Sequence, residues 1–405
     1  MFRFKILSPC LSPNRESQLS DLTAYEFEFS TSIDHIKEDW QITVNDDIFW
    51  QHSFLKMVEE HGPSGIVPYY CLIKVDSNVV GVAYFQLKKI LLNEALNQSH
   101  DGHKTAPITV KSIVASRINF YNLVCGNMLL TGKYGFNFIV PLEKIDQFSL
   151  INKAIQQFID SLAKQENIQV GTVLIKDFFE EDALGDHTFE NYTAFFVQPN
   201  MIMDIREWSS FDAYMAAMKT KYRTRINRAF KKFAEVEKRE LFLDDLDFHQ
   251  TTMHRLYKNI ALNAGFNLFL HRQDYFLKLK EAIGDSLIVI GYFIGDEMVG
   301  FYTMIDNQQH LDAHFLGYEH KYNAEYQLYL NMLLDMVRKG IGMKKDKLIM
   351  SRTAMEIKSS IGAEAFDMVC YLKHTKPWIN RLVPTILKYM NPKQEWLPRS
   401  PFKDE

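Results

Sequence analysis

The sequence predicts an α/β protein built from two tandem copies of one unit, each a mixed, mostly antiparallel sheet flanked by helices. Three observations carry that prediction. The chain has 405 residues, more than one ordinary core holds and enough for two domains of about 150–200 residues. Two stretches, "VDSNVVGVAYFQL" (75–87) and "IGDEMVGFYTMID" (294–306), read as the same hairpin, with Gly81 and Gly300 at the same offset. The elements after each hairpin also repeat, and agreement in the order of several elements is the mark of a duplication.

Each hairpin leads into a strand-like run, "FYNLVCGNMLL" (120–130) in the first copy and "HLDAHFLGY" (310–318) in the second. A helix comes next in both. Ile151, Ala154, Ile155, Phe158 and Leu162 recur at helical spacing, as do Tyr326, Tyr329, Leu330, Leu333 and Val337, so each helix buries one face. Short apolar strands, "VGTVLI" (170–175) and "KLIM" (347–350), then close each unit, the second after Gly340 at a C-cap position. "MIMDI" supplies a last strand to the first copy. The division expected is 1–205, 206–375 and a C-terminal segment, 376–405.

Between the copies, "SSFDAYM" opens a helix with Ser209 and Asp212 at capping-box spacing. Phe211, Tyr214, Met218, Tyr222, Ile226, Phe230 and Phe233 continue one apolar stripe, so the helix is expected to run to about residue 233, either unbroken or with one break. "KTKYRTRINRAFKK" (219–232) carries seven Lys or Arg and no acid on the remaining surface, although the whole chain has a formal charge of −4. A cationic helix on a mildly acidic protein points to a local anionic ligand and away from a general nucleic-acid coat. A solvated helix face is the alternative. The C-terminal segment mixes Trp378, Ile379, Leu382, Val383, Ile386, Leu387 and Trp396 with Lys and Arg, a composition suited either to a lipid interface or to a tail packed across the domain seam.

Cys10, Cys71, Cys125 and Cys370 have neither CxxC nor Cys/His spacing, so buried thiols are expected, with no metal site and no disulfide framework. The opening "MFRFKILSPCLSPNR" has too short an apolar run for a signal peptide, and no window approaches about 18 apolar residues. The expected location is cytoplasmic, with peripheral contact at the inner membrane surface left open.

The element order, with "FDAYMAAMKTKYRTRINRAFKKF", "HFLGYEHKYNAEYQLYLNMLLDMV", "SRTAMEIKSSIGAE" and the closing "RSPFK", resembles the GNAT acyltransferase superfamily. The resemblance is to its tandem group, which includes Fem-type aminoacyl transferases and an acetyltransferase group often linked to peptidoglycan or cellulose biosynthesis. It implies two GNAT-like units and an N-acyltransferase. No covalent cofactor is implied, and acyl-CoA or an acyl carrier protein would be the co-substrate. One departure stands out. Where many members carry a Q/R-x-x-G-x-G/A pyrophosphate turn, this chain reads "HKYNAEYQLY", so a helix N-terminus near Asn323 and Ala324 is the remaining phosphate candidate.

Strand alternation in "HLDAHFLGY" puts Asp312 and His314 on one face, with Leu311, Ala313 and Phe315 on the other. A histidine near its ordinary pKa of about 6.5 suits an amine base, and Asp312 would orient it. Tyr318 is the candidate acid for a departing thiolate. Ser351, Arg352 and Thr353 stand where a strand leaves the sheet, with Lys358 just beyond, a usual place for binding groups. Lys221, Tyr222, Arg223 and Arg225 complete the binding set. The first copy is expected to shape the cleft, and an ordinary structural role is the alternative for each of these residues. The acceptor expected is a small-molecule or lipid amine. A donor of aminoacyl-tRNA, the less favoured RNA partner, and a non-catalytic GNAT-like binding protein are the competing readings. Oligomeric state is not legible.

Overall fold

The apolar hairpins of the two copies sit at opposite ends of one sheet. In the computed structural model, which describes residues 24–91, 119–184, 189–263, 269–390 and 396–403, the first described strand is β1 (Tyr25–Ser30). Two helices come next, α1 (Lys37–Thr43) and α2 (His52–His61). The first hairpin is β2 (Ile66–Val75) with β3 (Asn78–Leu91); Asp76 and Ser77 at its turn have φ of 50° and 64°, as a two-residue turn matched to strand twist requires. Then come β4 (Asn119–Cys125), β5 (Phe136–Phe138), α3 (Lys144–Ser161), β6 (Val170–Phe179) and β7 (Thr193–Asp204).

The second copy repeats the plan. Helices α4 (Phe211–Ala217) and α5 (Thr220–Lys232) lead to β8 (Glu237–Glu240), α6 (Leu243–Ala261) and α7 (Tyr275–Ile283). The second hairpin, β9 (Leu287–Ile294) with β10 (Glu297–Asn307), precedes β11 (His310–Tyr318), α8 (His320–Tyr326), α9 (Leu328–Gly342) and β12 (Lys347–Ile349). The chain ends with α10 (Met355–Ser359), β13 (Glu364–His374), α11 (Pro377–Asn380) and α12 (Val383–Met390).

These strands form one 13-stranded sheet in the order β1-β2-β3-β4-β6-β13-β7-β12-β11-β10-β9-β8, with β5 paired to β3. Its centre holds a feature the repeat did not reveal. The last strand of the second copy, β13, pairs with β6 of the first, and the last strand of the first, β7, pairs with β12 of the second. The two strands also pair with each other. A division of the chain at residue 205 therefore respects the sequence, whereas the sheet crosses it.

Three apolar cores cover this sheet. Helix α3 covers the first half through Phe148, Ile151, Ile155 and Phe158, while α9, with α4 and α5, covers the second through Leu330, Leu333, Val337, Tyr214 and Ile226. The third core is shared. It joins Trp40, Phe54 and Tyr70 of the first copy to Leu256, Tyr275 and Phe301 of the second, so two half-domains are welded on this face by apolar burial.

One local expectation changes, and one alternative is selected. The N-cap of α4 is Ser210, whose hydroxyl accepts from the Ala213 N–H at 3.1 Å, and not Ser209. The cationic helix also breaks between Ala217 and Thr220, because the "RSPFK" tail inserts there. Met218 bridges Phe402, the Lys219 N–H donates to Pro401 at 2.8 Å, and the Lys403 N–H donates to Ala217 at 3.1 Å. Phe402 fills the space over Gly362 and stacks near Trp208 and Tyr214. Cys71, Cys125 and Cys370 are buried free thiols; Cys10 lies outside the described residues. Among the described residues no helix is long and apolar enough to cross a membrane, and no group of three His, Cys, Asp or Glu could hold a metal ion.

Candidate active site

Parallel pairing of β11 with β12 covers three positions only, His310 with Lys347, Leu311 with Leu348 and Asp312 with Ile349. Beyond them β11 continues to Tyr318 while the other strand ends and turns away. An opening in the sheet results at Asp312 and Ser351. Two concavities lie beside it, one against the shared core and one against the cationic helix.

The first is a crevice of about 20 Å³, lined by Asp312, Ala313, His314 and Ser351 from the second copy and by Phe49, Leu129, Leu130 and Thr131 from the first. It is too small to admit an organic amine without movement of its walls. Asp312 stands half-buried in it, with its Oδ2 shielded and unpartnered. Burial, reinforced by the nearby Asp47 carboxylate, pushes the Asp312 carboxyl up from an ordinary 3.8 to about 8. Asp47 is held by the Phe49 N–H at 3.0 Å and the Asn307 amide at 3.1 Å, and burial raises its own pKa.

His314 shares the crevice in a different state. Burial lowers it from an ordinary 6.5 to about 3, and the Tyr275 hydroxyl lies 2.7 Å from its Nε2. Tyr275 in turn stacks at 3.8 Å on the buried ring of His271. A histidine so held stays neutral through the physiological range, so the expected assignment inverts. The group that titrates near neutrality is Asp312, and His314 is a neutral polar wall fixed by tyrosine.

The expected alternation along β11 also fails after His314. Register between β10 and β11 shifts between Tyr302 and Met304, opposite Leu316 and Ala313, leaving His314 and Phe315 together opposite Thr303. The Thr303 hydroxyl satisfies this bulge, accepting from the Phe315 N–H at 3.0 Å and donating to its carbonyl at 2.9 Å. Phe315 consequently joins the shared core beside His314, at 4.5 Å between ring centroids, and does not meet α9. Tyr318 ends on the other face, packed on the α9 core against Tyr329, and is not brought together with Asp312 and His314. Burial raises its hydroxyl above the ordinary value.

The second concavity is an open groove of about 720 Å³ between α5, the start of α9, α10 and the tail. Lys221, Arg225, Arg228 and Lys232 line it, spaced so that they share one helix face, and Arg399 adds a fifth cation against the single acid Glu356. Tyr222 and Ser360 also line it, and Arg225 donates to the Ser360 hydroxyl at 3.3 Å. Among the described residues Lys221, Arg228 and Lys232 have no carboxylate partner, so the groove holds unneutralised positive charge. Arg223 lies on another face of α5 and does not line it.

Arg352 and Lys358 connect the two concavities without lining either. Arg352 pairs with the buried Asp177 of β6, across the two copies, and not with Glu356, which pairs with Arg399 at 3.3 Å. Asp177 also meets Lys176 at 2.5 Å, and despite burial these two cations hold its carboxyl below the ordinary range. Lys358 is buried, its ammonium donating to the carbonyls of Met350 at 2.7 Å, Ser351 at 3.3 Å and Arg352 at 2.7 Å. All its protons are thereby engaged, and burial lowers it to about 7. The lysine clamps a turn in which Ser351, Thr353 and Ala354 all have positive φ, a strain that needs such an anchor. Asn323 serves the fold as well. Its side chain accepts from the Tyr329 N–H at 2.9 Å and so occupies a donor in the first turn of α9, where a free phosphate site was expected.

Asp47, Tyr275, Arg228, Lys232, Arg399 and Asp177 were not singled out from sequence. The spacing of the four groove cations along α5 was a usable signal; the others come from segments distant in the chain, and no local pattern marks them.

No family model matches the sequence, and no curated protein matches it either. Solved structures do. The chain aligns with the crystal structure of FemX at a TM-score of 0.50 and 10% identity, over 88% of this chain and 99% of that one. A tandem GNAT protein from the clavulanic acid biosynthesis pathway aligns at 0.48 and 10% identity, over 87% and 99%. The likeness to FemX is one of fold.

Proposed function

From a tandem GNAT fold with a titratable carboxyl at the opening of its second-copy sheet, we propose that the chain is an N-acyltransferase. It moves an acyl group from a phosphate-bearing thioester donor, an acyl-CoA or an acyl carrier protein, to an amine of a lipid or cell-envelope molecule. The observation that carries this reading is the position of Asp312, shielded in the inter-copy crevice and raised to about 8, where the β11–β12 pairing opens. A carboxylate of that basicity takes the proton that an attacking neutral amine sheds as the C–N bond forms far better than an ordinary aspartate does. The amine nitrogen then forms the C–N bond at the thioester carbonyl. The C–S bond breaks, the thiolate leaves and takes a proton from solvent, and Asp312 returns its proton to bulk water.

The groove supports the donor half. Five cations and one acid suit two or three phosphates, and the cations replace the missing glycine turn, since α9 offers a first turn already bonded by Asn323. A thiol-release assay with a panel of acyl-CoAs and amines tests the reading. Thiol release that depends on both substrates and fails in Asp312→Asn supports it, and no release with any pair removes it. A second reading, aminoacyl-tRNA as donor, is favoured by the open, multiply cationic face of α5. Salt-sensitive binding of charged tRNA with no thiol release would select it.

A further inference from the structure

Helices α11 and α12 leave three large apolar residues of the C-terminal segment outside the cores. Asn380 pins α11 to the scaffold, its Oδ1 accepting from the His374 N–H at 2.7 Å and its Nδ2 donating to the Asn191 carbonyl at 2.7 Å. Val383 is buried at 5% exposure and anchors the start of α12. On the surface left outward stand Trp378, Leu382 and Ile386, at 66%, 52% and 42% exposure. They are four residues apart, and turns run through them without a gap, Leu382 N–H to Ile379 at 2.8 Å and Ile386 N–H to Leu382 at 2.9 Å. Three large apolar groups thus form one stripe on a fixed support.

Charge along this segment has one sign. Between Met368 and Gln394 the sequence contains no Asp or Glu, while Lys376, Arg381 and Lys388 are exposed beside the apolar residues. Apolar groups led by a tryptophan and ringed by cations match a bilayer interface with anionic headgroups: the indole sits at headgroup level, the aliphatic side chains reach the acyl boundary, and the cations meet lipid phosphates. We propose that α11 and α12 form a docking surface by which the folded protein lies on an anionic lipid bilayer. It deepens the proposed function, since a lipid amine acceptor would be met at that surface, but docking itself needs no turnover.

The test is cosedimentation of the full chain with vesicles of phosphatidylcholine, with and without 30% phosphatidylglycerol, at low and moderate salt. Wild type should sediment with the anionic vesicles, with a half-saturating lipid concentration at least about tenfold lower than with phosphatidylcholine alone. The triple variant Trp378→Ser, Leu382→Ser, Ile386→Ser and the triple variant Lys376→Glu, Arg381→Glu, Lys388→Glu should each raise it at least about tenfold. Circular dichroism verifies that both variants are folded. Equal binding to the two vesicle types, binding undiminished in both variants, or no binding at millimolar lipid overturns the proposal. So does a wild type that ignores vesicles but self-associates in sedimentation velocity through the same three apolar residues, which would make the stripe a contact between copies. Asp312→Asn separates the two readings: it should bind vesicles as wild type does while losing thiol release. Vesicle binding without any acyl transfer in wild type removes the enzymatic reading and leaves the docking surface.

Discussion

Replacing Asp312 with Asn tests the chemistry most directly, because the substitution preserves shape and removes the titrating group. With the Asp312 carboxyl at about 8, only about one-tenth of the molecules carry the basic form at pH 7, and about nine-tenths do at pH 9. Wild-type kcat/KM should therefore climb about tenfold across that interval, with a midpoint near 8. An aromatic amine acceptor, whose own ionisation lies well below the window, isolates the enzyme's titration. Asp312→Asn should lose the rising limb and about 10²–10⁴ in rate. Asp47→Asn removes the neighbouring carboxylate that helps raise Asp312 and should move the limb to lower pH. Stability supplies an independent readout. The folded-state pKa lies above the unfolded 3.8, so the native protein holds the extra proton between about 4 and 8 and loses stability as pH rises through that range. At about 1.4 kcal/mol per pH unit the loss is on the order of 5 kcal/mol. Asn cannot ionise, so the melting temperature of Asp312→Asn relative to wild type should be higher at pH 9 than at pH 5. A limb centred near 6.5 that persists in Asp312→Asn and vanishes in His314→Gln would refute the reasoning and restore the histidine as base.

Charge reversal in the groove, Arg225→Glu with Arg228→Glu, should raise the donor KM by about tenfold or more with little change in kcat, more strongly at low salt, whereas Arg223→Glu should leave it within about twofold; steady-state kinetics at two ionic strengths read this out. Lys358→Met leaves three carbonyls without their donor above a run of positive-φ residues and should cost about 3 kcal/mol in a urea titration. Gly317→Ala should cost about 3 kcal/mol or more in the same titration, because its methyl would come 2.4 Å from the α6 backbone at Leu256 and Tyr257, where neither side can yield cheaply.

Local pattern carried the fold further than it carried the site. Hairpin turns, helical stripes and the paired glycines are properties of neighbouring residues, and each was legible. Gly81 and Gly300 sit where an added Cβ would strike Phe138 and Met332, so the repeat in sequence reflects a repeated close approach. The strand exchange was not legible, since β7 and β13 are apolar strands whose periodicity is the same whichever partner they take. The site depended on just such long-range facts. Asp312 and His314 were found from the strand, but their protonation is decided by Asp47, Tyr275 and the shared core, more than two hundred residues away in one case. The bulge at Thr303 turned Phe315 and Tyr318 to faces that strict alternation forbids, and a bulge closed by one hydroxyl leaves almost no trace in a single sequence.

Strand pairing also explains why the proposed base lies in the second copy. In the first, β4 corresponds to β11 and β6 to β12, but their parallel pairing runs on to Cys125 and Ile175, the last residue of β4. Leu123, Val124 and Cys125 along that pairing are fully buried, where β11 carries Asp312 and His314 at its opening. In the second copy pairing stops at Asp312 and the longer β11 continues alone on that side. The strand exchange then decides what meets this opening. Because β13 brings the end of the second copy against β6, Asp177 of the first reaches Arg352 of the second, and the loop at Leu129–Thr131 closes over Asp312. The first copy thus supplies a wall of the second copy's opening. The crevice it closes is only about 20 Å³, so an acceptor must displace that loop before it can meet the carboxyl. Asp312 is then shielded until the loop moves and, below about pH 8, mostly protonated, so in the proposed reaction entry of the acceptor and exposure of its base become a single event.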